Sequence, residues 1–162
     1  KIIDLKEEKS LCDIGTGAGF PGLVLKICFP NLKVVLLDSL NKRINFLRDV
    51  INELGLKNIE VIHTRAEEYA QKNRNKFDIT TARAVAHLSI LLEYAIPMTK
   101  EGKYFIAMKA NVKDEIKEID NALKVLDTKI VEINEFNLPI ENSNRTIIKF
   151  KKIKLFLMEK FK

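Results

Sequence analysis

The chain has 162 residues, 46% of them hydrophobic, and a formal net charge of +6. That length suits one domain with one core and is short for two, while the excess of lysine and arginine suits an anionic partner. No apolar run approaches membrane-spanning length, and two cysteines, Cys12 and Cys28, are too few for a disulfide framework.

The first ten residues are charged and do not read as a signal peptide. The sequence starts at Lys1 without an initiating methionine, as expected of a fragment. A strand is predicted at Leu11–Ile14, followed by Gly15, Gly17 and Gly19 at every second position and then by Phe20-Pro21-Gly22. Pro21 suits the first turn of a helix over Pro21–Cys28. A second strand, Lys33–Leu37, closes on Asp38. The helix Asn41–Leu54 carries Ile44, Leu47, Val50, Ile51 and Leu54 on one face; Ser39 or Asn41 is its expected cap and Gly55 its stop. Strands Ile59–Ile62, Phe77–Thr81 and Tyr104–Met108 alternate with helices Glu67–Gln71, Leu88–Ile96 and Val112–Leu126. The last strands, Ile130–Glu135 and Thr146–Phe150, are joined by a loop containing Pro139 rather than by a helix.

This alternation predicts an α/β fold: a doubly wound, mostly parallel sheet of Rossmann-like type with an antiparallel C-terminal hairpin. The domain spans 1–150, and 151–162 form a basic tail. Both cysteines lie in apolar segments and read as reduced core residues, which favours the cytoplasm.

Gly17-x-Gly19-x-x-Gly22 matches a dinucleotide fingerprint, a weak signal alone. Two acids redirect it. Asp13, two residues before Gly15, is awkward for a pyrophosphate but useful to a ligand bringing an amino group. Asp38 stands where a carboxylate can accept from both ribose hydroxyls. S-adenosylmethionine combines an ammonium, a sulfonium and an adenosine, with no phosphate. His63 and His87 lack any metal or nucleophile pattern, so no metal is expected, and Tyr69 and Tyr94 read as packing residues. Lys109 at the end of the fifth strand, with Lys42, Arg43 and Arg48 near the loop side of the second helix, are candidate phosphate contacts.

The run Asp13–Gly22, then Leu36-Leu37-Asp38-Ser39-Leu40-Asn41-Lys42-Arg43, Arg65-Ala66-Glu67-Glu68 and Ala82-Arg83-Ala84-Val85-Ala86, resembles the RsmG (GidB) family from about Leu11 to Phe150. These bacterial methyltransferases place a methyl group on N7 of a guanosine in 16S rRNA. The resemblance implies a class I fold dependent on S-adenosylmethionine, with cofactor contacts from Gly15, Phe20, Ala66, Glu67 and Arg83. It also implies a helical segment before the glycine loop, longer than the ten residues present here. The expected partner is 16S rRNA or the small ribosomal subunit, met by a monomer in the cytoplasm with no membrane. Lys42, Arg43 and Lys109 would contact RNA, and Arg83 would position the reactants. Guanine N7 attacks without losing a proton; accordingly, no Asp/Asn-Pro-Pro-Tyr segment follows the fourth strand and no Pro-Cys nucleophile is present. Competing readings are a non-catalytic RNA- or nucleotide-binding module and a methyltransferase of a small molecule or protein. A nicotinamide-binding domain fits less well, because nothing supplies a hydride-acceptor site.

Overall fold

The computed structural model describes residues 3–7, 9–83 and 86–153. Most of the expected tail, from Lys154 on, lies outside them, as do Ala84 and Val85 of the Ala82–Ala86 motif.

Seven strands make one sheet: β1 (Ser10–Ile14), β2 (Lys33–Asp38), β3 (Ile59–His63), β4 (Phe77–Arg83), β5 (Thr99–Lys109), β6 (Thr128–Asn137) and β7 (Asn144–Lys152). Their order is β3-β2-β1-β4-β5-β7-β6. The first five run parallel, and β7 lies antiparallel to both β5 and β6. Helices α1 (Gly22–Cys28) and α2 (Asn41–Glu53) cover one face. The other is covered by α3 (Ala66–Lys72), α4 (Leu88–Met98), α5 (Lys113–Glu118) and α6 (Asp120–Val125). The fold is the doubly wound α/β sheet with an antiparallel hairpin that the sequence predicts.

Strand periodicity builds the two cores, because successive side chains point to opposite faces. Leu11, Val34 and Leu36 join Leu23 and Leu47 beneath α1 and α2. Cys12, Ile14 and Leu37 join Leu88, Leu91 and Phe105 on the other side. Since β1 has β2 on one side and β4 on the other, chain direction across the sheet reverses there. The crevice at the carboxyl ends of these strands is where such sheets bind ligands.

Some local expectations change. Neither Ser39 nor Asn41 caps α2; Leu40 is the N-cap residue, and its N–H donates to Asp38 Oδ1 at 3.0 Å. The strand-end acid already reaches the helix start, so a separate cap is redundant. At the other end Gly55 adopts φ +62°, its N–H bonding Asn52 O and that of Leu56 bonding Ile51 O, which closes the helix as predicted. The single helix expected over Val112–Leu126 is two, separated at Ile119. Ile116, Ile119, Leu123 and Leu126 still face the core, but Ile119 is buried at a break that lets α5 pack on α4 while α6 reaches β6. Cys12 is buried, whereas Cys28 is exposed: it ends a helix whose inward positions are Gly22, Leu23 and Lys26.

Candidate functional site

The glycine loop is held from behind by Asp13. This side chain is fully buried, and its Oδ2 accepts from Thr16 Oγ1 at 2.6 Å and from the Gly22 N–H at 2.9 Å. It therefore ties the end of β1 to the start of α1. Its Oδ1 has no hydrogen-bond partner among the described residues. Burial pushes the carboxyl up to about 6, although its hydrogen bonds to Thr16 and Gly22 and the charge of Arg83 pull the other way.

The glycines divide in purpose. A Cβ on Gly22 would lie 2.5 Å from Leu36 Cδ2 and 2.7 Å from Asp13 Cβ, and one on Gly19 2.7 Å from Leu23 Cβ. Gly22 lets α1 approach the sheet, and Gly19 lets the loop pack against Leu23 of α1 and Leu47 of α2. Gly17 has open space around its missing Cβ, but at φ +61° it occupies a conformation that favours glycine, and its N–H points at Asp38.

Asp38 is the hinge of the site. Its buried carboxylate takes the Gly17 N–H at 2.9 Å and the Arg43 guanidinium at 3.4 Å on Oδ2, with the Leu40 N–H on Oδ1. Alongside, His63 Nε2 bonds the Ser39 carbonyl at 2.9 Å, fixing the turn after β2 to the end of β3.

Two recesses meet at Gly15, Asp38 and Ser39. The smaller, about 240 Å³, is walled by Ile14, Leu37, Thr64, Ala66, Glu67 and Tyr94. Its apolar walls and the first turn of α3 suit a flat heterocycle. The larger, about 850 Å³, runs past Arg43 and Arg83 to Met108, Phe136 and Arg145. Its far wall is therefore the β6–β7 hairpin. Arg83, exposed at the end of β4, lies 5.5 Å from the centre of the half-exposed Phe20 ring. A guanidinium over an aromatic face at that distance is held without being neutralised.

Thus Gly15, Gly17, Asp38, Ala66, Glu67, Arg43 and Arg83 line one connected rim, with Phe20 flanking Arg83. Asp13 and Gly19 do not line it: Asp13 fastens the start of α1 to β1 from behind the loop, and Gly19 is packed against Leu23 and Leu47. Lys42 is exposed on the first turn of α2. Lys109 lines the cleft, but the structure does not offer it as a solvated RNA contact. Its Nζ donates to the Ala86 carbonyl and to Glu115 Oε2, both at 2.7 Å, and only 11% of the side chain is exposed. The reason is local charge: Glu115 also accepts the Leu88 N–H at 2.6 Å, so the lysine completes a partly buried junction between β5, α4 and α5. Of the expected tail lysines, Lys152 is likewise engaged, with Ile96 O, Thr99 O and Asn75 Oδ1 as acceptors.

Sequence reasoning missed Tyr94, Phe136 and Arg145. Tyr94 shows only helical spacing, which reads as packing. The hairpin residues come into play because β7 inserts beside β5, and no local pattern announces that pairing.

A model of the family described as GidB, rRNA small subunit methyltransferase G, matches residues 1–147. A ribosomal RNA small subunit methyltransferase G from Alkaliphilus metalliredigens is 48% identical over 153 residues, covering 93% of this chain and 64% of that protein. Its counterpart from Acetivibrio thermocellus is 52% identical over 147 residues, covering 90% of this chain and 61% of its own length. The chain thus spans less than two thirds of these curated relatives. Among solved structures, an rRNA methylase from Streptococcus thermophilus superposes with a TM-score of 0.68 at 16% identity, over 93% of this chain and 90% of that one. The Pyrococcus horikoshii TYW2 protein, solved in complex with MeSAdo, gives 0.74 at 12% identity, over 93% of this chain and 59% of the other. Likenesses this remote in sequence establish the shared fold.

Proposed function

This chain belongs to the GidB family of rRNA small subunit methyltransferases, and from that premise we propose that it transfers a methyl group from S-adenosylmethionine to N7 of a guanosine in 16S rRNA. One observation carries the choice of acceptor atom. Among the described residues, the lining of the larger cleft holds no histidine, cysteine or tyrosine; its one carboxylate, Asp38, is already engaged by two backbone N–H groups, and its one lysine, Lys109, is bound to Glu115. Acceptors that must shed a proton need a base within reach of it. Guanine N7 attacks with a free lone pair and sheds none.

The residues fit the cofactor. Asp38 would accept from the ribose, and the recess at Ala66, Glu67 and Tyr94 would take the adenine. The unpartnered Oδ1 of Asp13 leaves negative charge behind the glycine loop, favouring an ammonium on the other side. When bound, S-adenosylmethionine supplies an electrophilic methyl group on a sulfonium. The protein's task is then alignment, because an in-line displacement is accelerated mainly by fixing donor and acceptor. Arg83, steadied over Phe20, can donate to the guanine edge beside N7, while Arg145 and Arg43 present charge to RNA phosphates. Arg83 is a positioning group, since a fixed cation does not stabilise a product that becomes cationic. We propose that it works on ribosomal RNA in the cytoplasm, as a monomer without a metal ion.

The test is to incubate the protein with methyl-labelled S-adenosylmethionine and small subunits lacking N7 methylation, then map the label by cleavage at 7-methylguanosine. Label at one guanosine is expected. Label on an exocyclic amine or on protein alone would overturn the assignment.

A further inference from the structure

Asp38 is short of acceptor sites for the ligand assigned to it, and Arg43 is the reason. An ionised carboxylate offers about four lone-pair sites. Three are occupied: Oδ1 by the Leu40 N–H at 3.0 Å, and Oδ2 by the Gly17 N–H at 2.9 Å and by Arg43 Nη1 at 3.4 Å. A ribose that shares its two hydroxyls between the two oxygens needs one site on each. The backbone donors cannot leave, since one is in the glycine loop and the other starts α2. Arg43 can leave: its contact is the longest of the three, at the outer limit of a hydrogen bond, and its side chain is 52% exposed.

A displaced guanidinium at that position is badly placed. Arg43 lies in the first turn of α2, which contains no acidic residue, so the positive end of the helix dipole repels it. Arg83 and Arg145 line the same cleft. With Lys109 bound to Glu115, three guanidinium groups around one opening call for an anion, and the acceptor reading supplies one in the RNA backbone.

Resting on that reading, we propose that Arg43 couples the two substrates, sitting on Asp38 until a ribose diol takes its place and then serving as a ligand for an RNA phosphate. The diol releases the cation that the phosphate needs, and the phosphate holds away the cation that competes with the diol. Each ligand therefore tightens the other, by one and the same factor.

Binding of S-adenosylhomocysteine, which carries the diol but no transferable methyl group, is measured by calorimetry with and without unmodified 16S rRNA transcript. For the wild-type chain the RNA should tighten binding by about tenfold, in the usual range for coupled sites. In Arg43→Ala the factor should fall to near one, while binding without RNA is at least as tight as in the wild type. Arg43→Lys, which keeps the charge but not the planar fork, should retain part of the factor. A factor near one for the wild type, or one that Arg43→Ala leaves intact, overturns the coupling alone. So does weaker binding of S-adenosylhomocysteine by Arg43→Ala with no change for 5′-methylthioadenosine, which would make the amino-acid carboxylate the partner of Arg43. If the wild type does not bind S-adenosylhomocysteine, the cofactor reading itself fails and the coupling with it.

Discussion

Asp13 carries an unusual burden for a single side chain, since it fastens the glycine loop with one oxygen and leaves the other buried, without a partner among the described residues. Burial raises its carboxyl from 3.8 to about 6, so the folded protein holds this proton more tightly than the unfolded chain does. The sign follows from linkage: this carboxyl's contribution to stability falls as pH rises from about 4 through about 6, and is level above. Asp13→Asn keeps an oxygen for Thr16 and Gly22 and removes the charge. Urea unfolding across that window should show the wild type losing roughly 3 kcal/mol more than the variant. Gly22→Ala makes a different point. The added Cβ meets Asp13 Cβ at 2.7 Å and Leu36 Cδ2 at 2.5 Å, in a place where neither helix nor strand can yield. Overpacking of this kind should cost about 3 kcal/mol by the same measurement. Of these residues Asp13 was legible in the sequence as an acid at a strand end. Its orientation was not, because the residues that seal it, Thr16 and Gly22, are identified as partners only once α1 is docked.

The elements were most legible where periodicity and punctuation agreed. For α2, a single apolar face and Gly55 set both the type and the end of the helix. The segment from Val112 to Leu126 has the same periodicity, but spacing reports which side chains are buried and not whether the hydrogen bonds between turns persist, so the break at Ile119 was silent. The junction of β5, α4 and α5 was equally silent, because Lys109 and Glu115 look like two more surface charges in a chain rich in them. Burial pushes Glu115 up, but the bonds from Lys109 and the Leu88 N–H outweigh it and hold the carboxyl below its ordinary value. Its contribution is therefore present at neutral pH and lost as pH falls below about 4.5. Lys109→Met and Glu115→Gln should each lower stability by about 2 kcal/mol, and the double variant by clearly less than their sum. Purely additive losses at neutral pH would show that the two side chains do not act as a pair.

For the molecule as a whole, the net charge of +6 overstates the cations available to RNA, because Lys109 and Lys152 are bound to the protein's own acceptors. Salt dependence separates the two kinds. Lys42→Ala should lessen the slope of log affinity for RNA against log salt by about 0.7–0.9, whereas Lys152→Met should leave that slope unchanged while lowering the unfolding temperature. The sheet order has a consequence for how the chain is made. β7 comes last among the described strands, yet it lies between β5 and β6 and carries Arg145 of the cleft wall and Lys152, which ties to the start of β5. During synthesis β6 leaves the ribosome before β7, its one partner strand among the described residues, so it waits as an unpaired ribbon until β7 follows. A stop codon after the hairpin turn would thus remove an inner stave rather than trim an edge, and the cleft would lose one of its walls with it.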